Sequence, residues 1–451
     1  MSKTEHRKRI IIMGAGGRDF HNFNVLFRDE PGTRVIAFTV AQIPFQNGRR
    51  YPESLAGPLY PGGIPIVPEK EMPELIRRGA VDEVILAYSD LSHQRVMETA
   101  SLVLALGPDF RLVGSALTML DSSLPVISVC AVRTGCGKSP LTRYLCRTLQ
   151  KMGRRPAVIR HPMAYGRLDI RSAQRFLDLD DLDRYESTIE EREEFESLIR
   201  MGVPLFSGID YQRILAMAEE EGDVLIWDGG NNDLPFIRPG LEFVLVDPCR
   251  SGHESSYYPG LVNLLRAGII VLSKTGEADE KDLYAVRENV ARFNPEALIV
   301  QGDLDIDVDD PPLIKGKKVV VVEDGPTLTH GGMEFGAGIV AARRFSAKII
   351  EPRPFAAGSL LETYEEYPHL KLVVPAMGYS EAQLEDLRKT LEAVPCDLVL
   401  SASPVDLASI LKLSRPVVRV TYEFREKEGE PIKEAVRKFL SRWEKPRRVD
   451  G

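Results

Sequence analysis

The sequence predicts an α/β architecture: parallel sheets wound with helices on both sides. Three observations carry that expectation. Short apolar, β-branched runs alternate with helical patterns along the whole chain. One run, Val126-Ile-Ser-Val-Cys-Ala131, is followed by Thr134-Gly-Cys-Gly-Lys-Ser139 and a helical pattern from about Pro140 to Lys151. Another, Val224-Leu-Ile-Trp227, ends in Asp228-Gly-Gly230. Three segments follow, each opening on a strand, a loop and a helix: a Rossmann-like domain over 1–122, a phosphate-loop core over 123–316 and a C-terminal α/β domain over 317–451.

In the first segment, Arg9–Met13 reads as a buried strand, with further strands at Arg34–Val40, Glu83–Tyr88 and Arg111–Val113. Helical patterns cover Glu69–Arg78 and His93–Leu106. The turn Gly14-Ala-Gly-Gly17 has the look of a dinucleotide loop, which makes a nicotinamide-dependent oxidoreductase the weakest of three functional readings. The third glycine of G-x-G-x-x-G falls on Asp19, an acid that would oppose a pyrophosphate. Arg18, His21 and Asn24 at the following helix start are placed to hold an anionic substrate. The alternative there is a solvated helix end capped by Asp19 or Asn22. The stretch Gln42–Gly63 reads as a long loop with four prolines, the kind that serves function or an interface.

The second segment holds the clearest signal. In Thr134, Gly135, Cys136, Gly137, Lys138 and Ser139 the glycines allow backbone N–H groups to cradle phosphates. Lys138 supplies a charge for the β- and γ-phosphates, and the Ser139 hydroxyl reaches Mg²⁺. The full pattern asks for glycine at 132, where this chain has Val132. Gly153 is a plausible helix stop, and Pro156–Arg160 is the next strand. Arg160 and His161 leave it at the sheet edge where ligands bind. The acidic run that includes Glu190, Glu191, Glu193, Glu194 and Glu196 reads as a solvated helical face. Asp228, at a strand tip, is the expected Mg²⁺ ligand, acting through water. Phe243–Asp247 and Ile269–Ser273 continue the sheet. Lys274 stands where a guanine-reading Asn-Lys-x-Asp motif would carry its lysine, but Ser273 and Gly276 replace the flanking residues. Glu277 and Asp279 lie at the wrong offset. The cofactors expected are therefore ATP or GTP, with Mg²⁺, and no strong preference for guanine.

The third segment opens with a strand at Lys317–Glu323, then Glu323-Asp-Gly-Pro-Thr-Leu-Thr-His-Gly-Gly332 and a helical pattern over Ile339–Ser346. Thr329, His330, Gly331 and Gly332, just before that helix, form a second expected anion cradle, with His330 and His161 as catalytic partners of Lys138 and Asp228. Strands follow at Leu372–Gly378, Asp397–Leu400 and Val417–Val420. Ser380-x-x-Gln383 reads as a capping box for a helix to about Ala393, and Lys433–Trp443 reads as an amphipathic terminal helix.

A net charge of -8 argues against a nucleic-acid or anionic-membrane surface. The apolar run Ile10–Met13 is too short for a signal peptide or a span. Five cysteines with no C-x-x-C pair point away from zinc and disulfides, toward a reduced, cytoplasmic setting. Cys136 is best read as a small loop filler. The expected partners are a nucleoside triphosphate and an anionic small-molecule acceptor, with a homo-oligomer left open.

Taken together, Met13-Gly-Ala-Gly-Gly-Arg-Asp-Phe-His-Asn-Phe-Asn24, Arg133-Thr-Gly-Cys-Gly-Lys-Ser139, Arg160-His-Pro-Met163, Trp227-Asp-Gly-Gly-Asn-Asn-Asp233, the Glu323–Gly332 stretch and Pro375-Ala-Met-Gly-Tyr379 resemble the cyclic 2,3-diphosphoglycerate synthetase-like proteins, also described as predicted GTPases. The resemblance covers nearly the whole chain. It implies ATP-driven closure of an intramolecular phosphoanhydride. More broadly, it implies ligase- or kinase-type activation of a phosphorylated or carboxylated small molecule. The competing reading is a GTPase-type switch serving assembly or metal insertion, with Gly229-Gly230 moving on hydrolysis. Such a switch commonly carries Cys or His pairs for its cargo, and the sequence shows none.

Overall fold

A computed structural model gives the positions of residues 7–41, 49–161, 168–230, 233–329, 332–376, 380–403 and 406–443. His330 and Gly331 of the expected acceptor loop lie outside these described residues, as do Asn231 and Asn232. The fold is α/β, with a phosphate-loop core flanked by a Rossmann-like sheet and a C-terminal α/β layer.

The first sheet is built from β1 (Lys8–Met13), β2 (Thr33–Val40), β3 (Arg50–Tyr51), β4 (Ile64–Pro68), β5 (Glu83–Leu86) and, after a short β6 (Leu91–Ser92), β7 (Asp109–Leu112). Its order is β3-β4-β2-β1-β5-β7, parallel throughout except for β3. The parallel strands therefore follow the Rossmann sequence, with β1 central and the crossover on either side of it. The uninterrupted Ile10-Ile-Ile-Met13 run is explained by burial on both faces. Ile10 and Ile12 enter one core, Ile11 and Met13 the other. The stretch expected as one long loop carries β3 and a helical turn, Glu53–Ala56, in its described part.

The large sheet takes the remaining strands but one: β8 (Val126–Ala131), β9 (Pro156–Arg160), β10 (Gln174–Phe176), β11 (Leu205–Ser207), β12 (Val224–Asp228), β13 (Leu241–Val246) and, past a short β14 (Tyr257–Tyr258), β15 (Ile269–Leu272), β16 (Leu298–Val308), β17 (Lys318–Asp324), β18 (Lys348–Ile349), β19 (Val373–Ala376), β20 (Leu398–Ser401) and β21 (Val417–Glu426). The order is β10-β11-β9-β12-β8-β13-β15-β16-β21-β20-β17-β18, with β19 also on β17. Two features hold its parts together. β16 runs parallel to β15 over its first half and antiparallel to β21 over its second, so the sheet passes unbroken from the phosphate-loop core into the C-terminal layer. The last helix, Pro431–Ser441, returns to the phosphate-loop core and buries Ile432, Val436, Phe439 and Leu440 there. The first sheet joins through the antiparallel pair β6–β14.

Local signals set the helices. The helix after β8 spans Lys138–Lys151, and Gly153 sits beyond its end at φ +73°. Ser380 caps Glu381–Ala393 by accepting from the Gln383 N–H at 3.3 Å. The acidic run departs from expectation. Thr188 opens the helix Ile189–Ile199 with a capping box, but Glu191, Glu193 and Glu196 are buried. Glu191 pairs with Arg171, Glu193 accepts from Ser403, and Glu194 pairs with Arg160. Carboxylate density here marks partners inside the molecule. Among the described residues no helix is long and apolar enough to cross a membrane.

Candidate active site

Four strands of the large sheet deliver their C-terminal ends to one edge: β8 to the phosphate loop, β9 to Arg160, β12 to Asp228 and β15 to Lys274. β17 runs the opposite way, beyond the antiparallel pair β16–β21, and its terminal Asp324 still acts on Arg160. This is the edge at which open α/β sheets bind ligands.

The phosphate loop is held from its carbonyl side. Gly135 and Gly137 have φ +81° and +98°, the left-handed region in which a side chain is strained. Lys274 Nζ donates to the Gly135 carbonyl at 2.7 Å, and Ser273 Oγ to the Cys136 carbonyl at 2.7 Å. Thr134 and Arg133 are tied to the first sheet. Asp90 accepts from Arg133 Nε at 2.7 Å and from the Thr134 N–H at 3.4 Å. Val132 stands where the motif asks for glycine, and its backbone is closely approached from across the loop. A Cβ on Gly260 would come within 2.1 Å of the Val132 carbonyl oxygen, so the glycine sits in the facing helix. Cys136 is fully buried, which raises its thiol pKa. It fills the loop, as expected.

Asp228 is fully buried between β8 and β9. Arg160 Nη1 donates to its Oδ2 at 2.7 Å, while Oδ1 accepts no hydrogen bond from the described residues. An orphaned buried carboxylate oxygen at the strand tip beside the phosphate loop fits a hydrated Mg²⁺. Among the described residues no group of three or more His, Cys, Asp or Glu is arranged as a metal cage. Mg²⁺ does not need one, since it usually takes one or two protein oxygens together with phosphate and water. Asp228 and Ser139, the second residue of the helix Lys138–Lys151, would hold it, and its charge would offset that of the phosphates.

The other expected groups are redistributed. Arg160, expected near a substrate, is buried between Asp228 and Glu194, whose Oε2 lies 2.5 Å from Nη2, and orders both carboxylates. His161 Nε2 lies 3.5 Å from Asp233 Oδ2. Arg18 and His21, expected to hold a substrate anion, are engaged by partners within the protein. Arg18 Nε pairs with Asp233 Oδ1 at 2.5 Å, a second nitrogen donates to the Leu234 carbonyl, and the guanidinium stacks 4.4 Å over Phe236. His21 stacks on Phe236 at 4.4 Å and bonds the Thr118 carbonyl at 2.7 Å. Burial and the neighbouring Arg18 push its pKa down to about 3, leaving a neutral ring. Burial raises the Asp233 pKa, but Arg18 and His161 outweigh it and hold the carboxyl below its usual range. These groups fasten the first sheet to the core. Breaking one partner of a buried pair typically costs about 3–5 kcal/mol. Arg18→Ala is therefore expected to lower the thermal midpoint substantially while nucleotide affinity of the folded protein stays within a few-fold. An unchanged melt with lost turnover would restore the substrate role.

The Gly14–Gly17 turn and the start of the helix that follows the Glu323–Gly332 stretch each hold a carboxylate of the chain. Asp19 Oδ1 accepts from the N–H groups of Gly16 (2.9 Å), Gly17 (3.1 Å) and Phe20 (2.7 Å). That carboxylate takes the place a dinucleotide pyrophosphate would need, which removes the basis of the oxidoreductase reading. Glu323 Oε1 accepts from Gly336 and Ile339, each at 3.0 Å, at the start of the helix Ala337–Arg344. Burial pushes the Glu323 pKa up to about 7, against those backbone bonds. Thr329 Oγ1 donates to the Gly325 carbonyl at 3.0 Å, and Gly332 turns at φ +64°. The loop does approach the core: Met333 Sδ lies 3.6 Å from Lys274 Nζ.

Over 440 residues the chain is 50% identical to the arginine synthetase ArcE of Thermococcus kodakarensis (strain ATCC BAA-918 / JCM 12380 / KOD1), covering 97% of this chain and 98% of that protein. The chain belongs to the ArcE family. No protein-family model matches it. Solved structures that resemble it include LpxK of Aquifex aeolicus in complex with ATP (TM-score 0.42, 12% identity, 76% of this chain and 95% of that one) and the hydrogenase maturation factor HypB of Archaeoglobus fulgidus (TM-score 0.26, 16% identity, 40% and 81%). Membership of the ArcE family rests on the sequence relative. The relative's name also differs from the cyclic 2,3-diphosphoglycerate synthetases that the motifs resemble.

In this ArcE-family chain, several site groups escape sequence reasoning. Asp247 is buried against Lys274 (2.9 Å) and Arg250 (3.1 Å). Burial raises its pKa, but these two cations outweigh it and keep the carboxyl ionised. Its position at the end of a predicted strand was the available signal. Glu194 and Asp90 had none beyond charge. Burial raises the Glu194 pKa against the pull of Arg160, with Asp228 and Asp324 adding to the rise. The side of the site toward the C-terminal layer is thus lined by carboxylates.

Proposed function

We propose that this protein is a Mg²⁺-dependent, nucleoside-triphosphate-driven synthetase that forms arginine. The observation that carries the proposal is the phosphate loop facing the orphaned oxygen of Asp228, in a chain that matches an arginine synthetase from end to end. Lys138 and the loop amides hold the triphosphate, and Asp228 and Ser139 hold the metal. When bound, Mg²⁺ supplies charge neutralisation at the phosphates.

The chemistry that suits a synthetase of this product is phosphoryl activation of an oxygen that nitrogen then replaces. A ureido oxygen of the arginine precursor attacks the γ-phosphorus and the nucleoside diphosphate leaves. Ammonia adds to the ureido carbon, and the oxygen departs in inorganic phosphate as the guanidino group forms. The carboxylates Glu194, Asp228 and Asp324 around Arg160 suit a nitrogen-rich acceptor end better than an anionic one. This revises the expected anionic acceptor at its reacting end, while the amino-acid carboxylate of the precursor keeps it within the carboxylated class.

The test is a reaction containing Mg·ATP or Mg·GTP, the ureido amino acid labelled with ¹⁸O in its ureido group, and ammonia. Arginine and phosphate should appear one for one, with the label in phosphate. Phosphate release at an equal rate without the two acceptors would sink the proposal and favour a hydrolytic switch. Replacing the acceptors with 2,3-diphosphoglycerate tests the cyclic phosphoanhydride reaction in the same assay.

A further inference from the structure

We infer that Asp303 reads the purine base of the bound nucleotide by accepting one of its N–H groups. The inference rests on the nucleotide site proposed above and deepens it. Lys274 places the turn Ser273–Gly276 against the phosphate loop through its 2.7 Å bond to Gly135, while Asp247 anchors the same ammonium at 2.9 Å. In the Asn-Lys-x-Asp arrangement the base-reading carboxylate stands two residues after the lysine. Here that residue is Gly276.

The structure delivers a carboxylate to the same place from another strand. The Gly276 N–H donates to Asp303 Oδ1 at 2.7 Å, and Thr275 Oγ1 donates to the same oxygen at 3.1 Å. A Cβ built on Gly276 would lie 3.2 Å from Asp303 Oδ2. The Asp303 carboxyl therefore occupies the space beside Cα that a side chain at 276 would enter. An aspartate at 276 would set two carboxylates in contact, so the absence of one and the presence of the other are linked. Asp303 comes from β16, 27 residues along the chain from Gly276, which is why no local motif shows it.

The geometry also sets the strength of the contact. Oδ1 is engaged by the turn. Oδ2 is ion-paired with Lys427 Nζ at 3.7 Å, beyond hydrogen-bond distance, and the side chain is 20% exposed, so among the described residues no hydrogen bond bars this oxygen from a ligand N–H. One open oxygen accepts one ring or amino N–H: N6–H of adenine, or N1–H or N2–H of guanine. A single charge-assisted bond gives discrimination of roughly tenfold, where a bidentate contact gives far more.

Isothermal titration with Mg²⁺ complexes of ATP, GTP and purine riboside triphosphate, which lacks amino and oxo groups on the ring, tests the assignment. The wild type should bind ATP or GTP about tenfold more tightly than the unsubstituted purine. The preferred nucleotide identifies which N–H is read. Asp303→Ala should bring that ratio to within about twofold with the affinity for the unsubstituted purine unchanged. Asp303→Asn, which keeps an oxygen for the turn and loses the charge, should lower the ratio too, and decides the matter if the alanine variant fails to fold. Equal weakening of all three nucleotides, a ratio that neither variant changes, or a wild type without preference overturns the inference. Tripolyphosphate binding that is lost in Lys138→Ala would show, in any of those cases, that the phosphate site itself stands.

Discussion

Lys138→Ala is expected to abolish nucleotide-driven turnover and to cut triphosphate affinity by at least a hundredfold, with little change in stability. Lys138 is the first residue of the helix that follows the phosphate loop, directly after Gly137 in its left-handed conformation. Its backbone stands at the positive end of that helix, where loop amides and helix dipole already favour an anion. A point charge within about 4 Å of a triphosphate at a partly excluded site contributes on the order of 4 kcal/mol at an effective dielectric of about 20. Part of that appears as binding and part only as charge shifts in the transition state. The loss should therefore be larger in kcat/KM than in affinity. The loop also has holds other than the lysine: Ser273, Lys274 and Asp90 fasten it from outside. Thermal unfolding separates the cases. A variant that melts like the wild type and binds nothing supports the assignment, whereas wild-type affinity by titration together with wild-type phosphate release rules it out.

The groups legible from sequence are those whose partners are local. The glycines of the phosphate loop, Lys138, Ser139 and the strand-tip Asp228 are specified within a few residues by turn chemistry and strand pattern, and each lies where the sequence puts it. The isoleucine run of β1 shows a strand buried on both faces for the same reason. Long-range partners are what the sequence hides. Arg18 and Asp233 are 215 residues apart, and Arg160 and Asp228 are 68 apart. Nothing near Arg18 tells whether its guanidinium awaits a phosphate or already holds a carboxylate. The glycine-rich turns mislead similarly. Amides that suit an external anion suit a carboxylate of the chain equally well, and only the fold shows Asp19 at the first turn and Glu323 at the Gly336–Ile339 helix start. The acidic run fails for a related reason. Helical spacing of glutamates fits water on one face, and the buried arginine that Glu194 answers lies on a distant strand.

The second large effect concerns Asp228. Asp228→Asn is expected to lower Mg²⁺-dependent turnover by roughly a hundredfold or more, the equivalent of about 3 kcal/mol of transition-state stabilisation. Nucleotide affinity measured in EDTA should stay within a few-fold. The two oxygens of Asp228 do different work. Oδ2 receives Arg160, and an asparagine oxygen can still do so. The amide nitrogen then replaces Oδ1, the oxygen with no partner among the described residues, and turns a charged acceptor into a donor where hydrated Mg²⁺ would sit. The fold should tolerate the change because Glu194 continues to neutralise Arg160 at 2.5 Å, so no buried cation is left alone. Glu194→Gln offers the contrast. It loosens Arg160 without touching Oδ1, and should cost stability more than metal dependence. Titrating Mg²⁺ into turnover assays of both variants separates the roles. The asparagine variant should lose rate at every Mg²⁺ concentration and need more metal for half-activation, while the glutamine variant should keep the wild-type metal midpoint. An equal loss of nucleotide affinity with and without Mg²⁺ in Asp228→Asn would show that its carboxylate shapes the pocket and does not act on the metal.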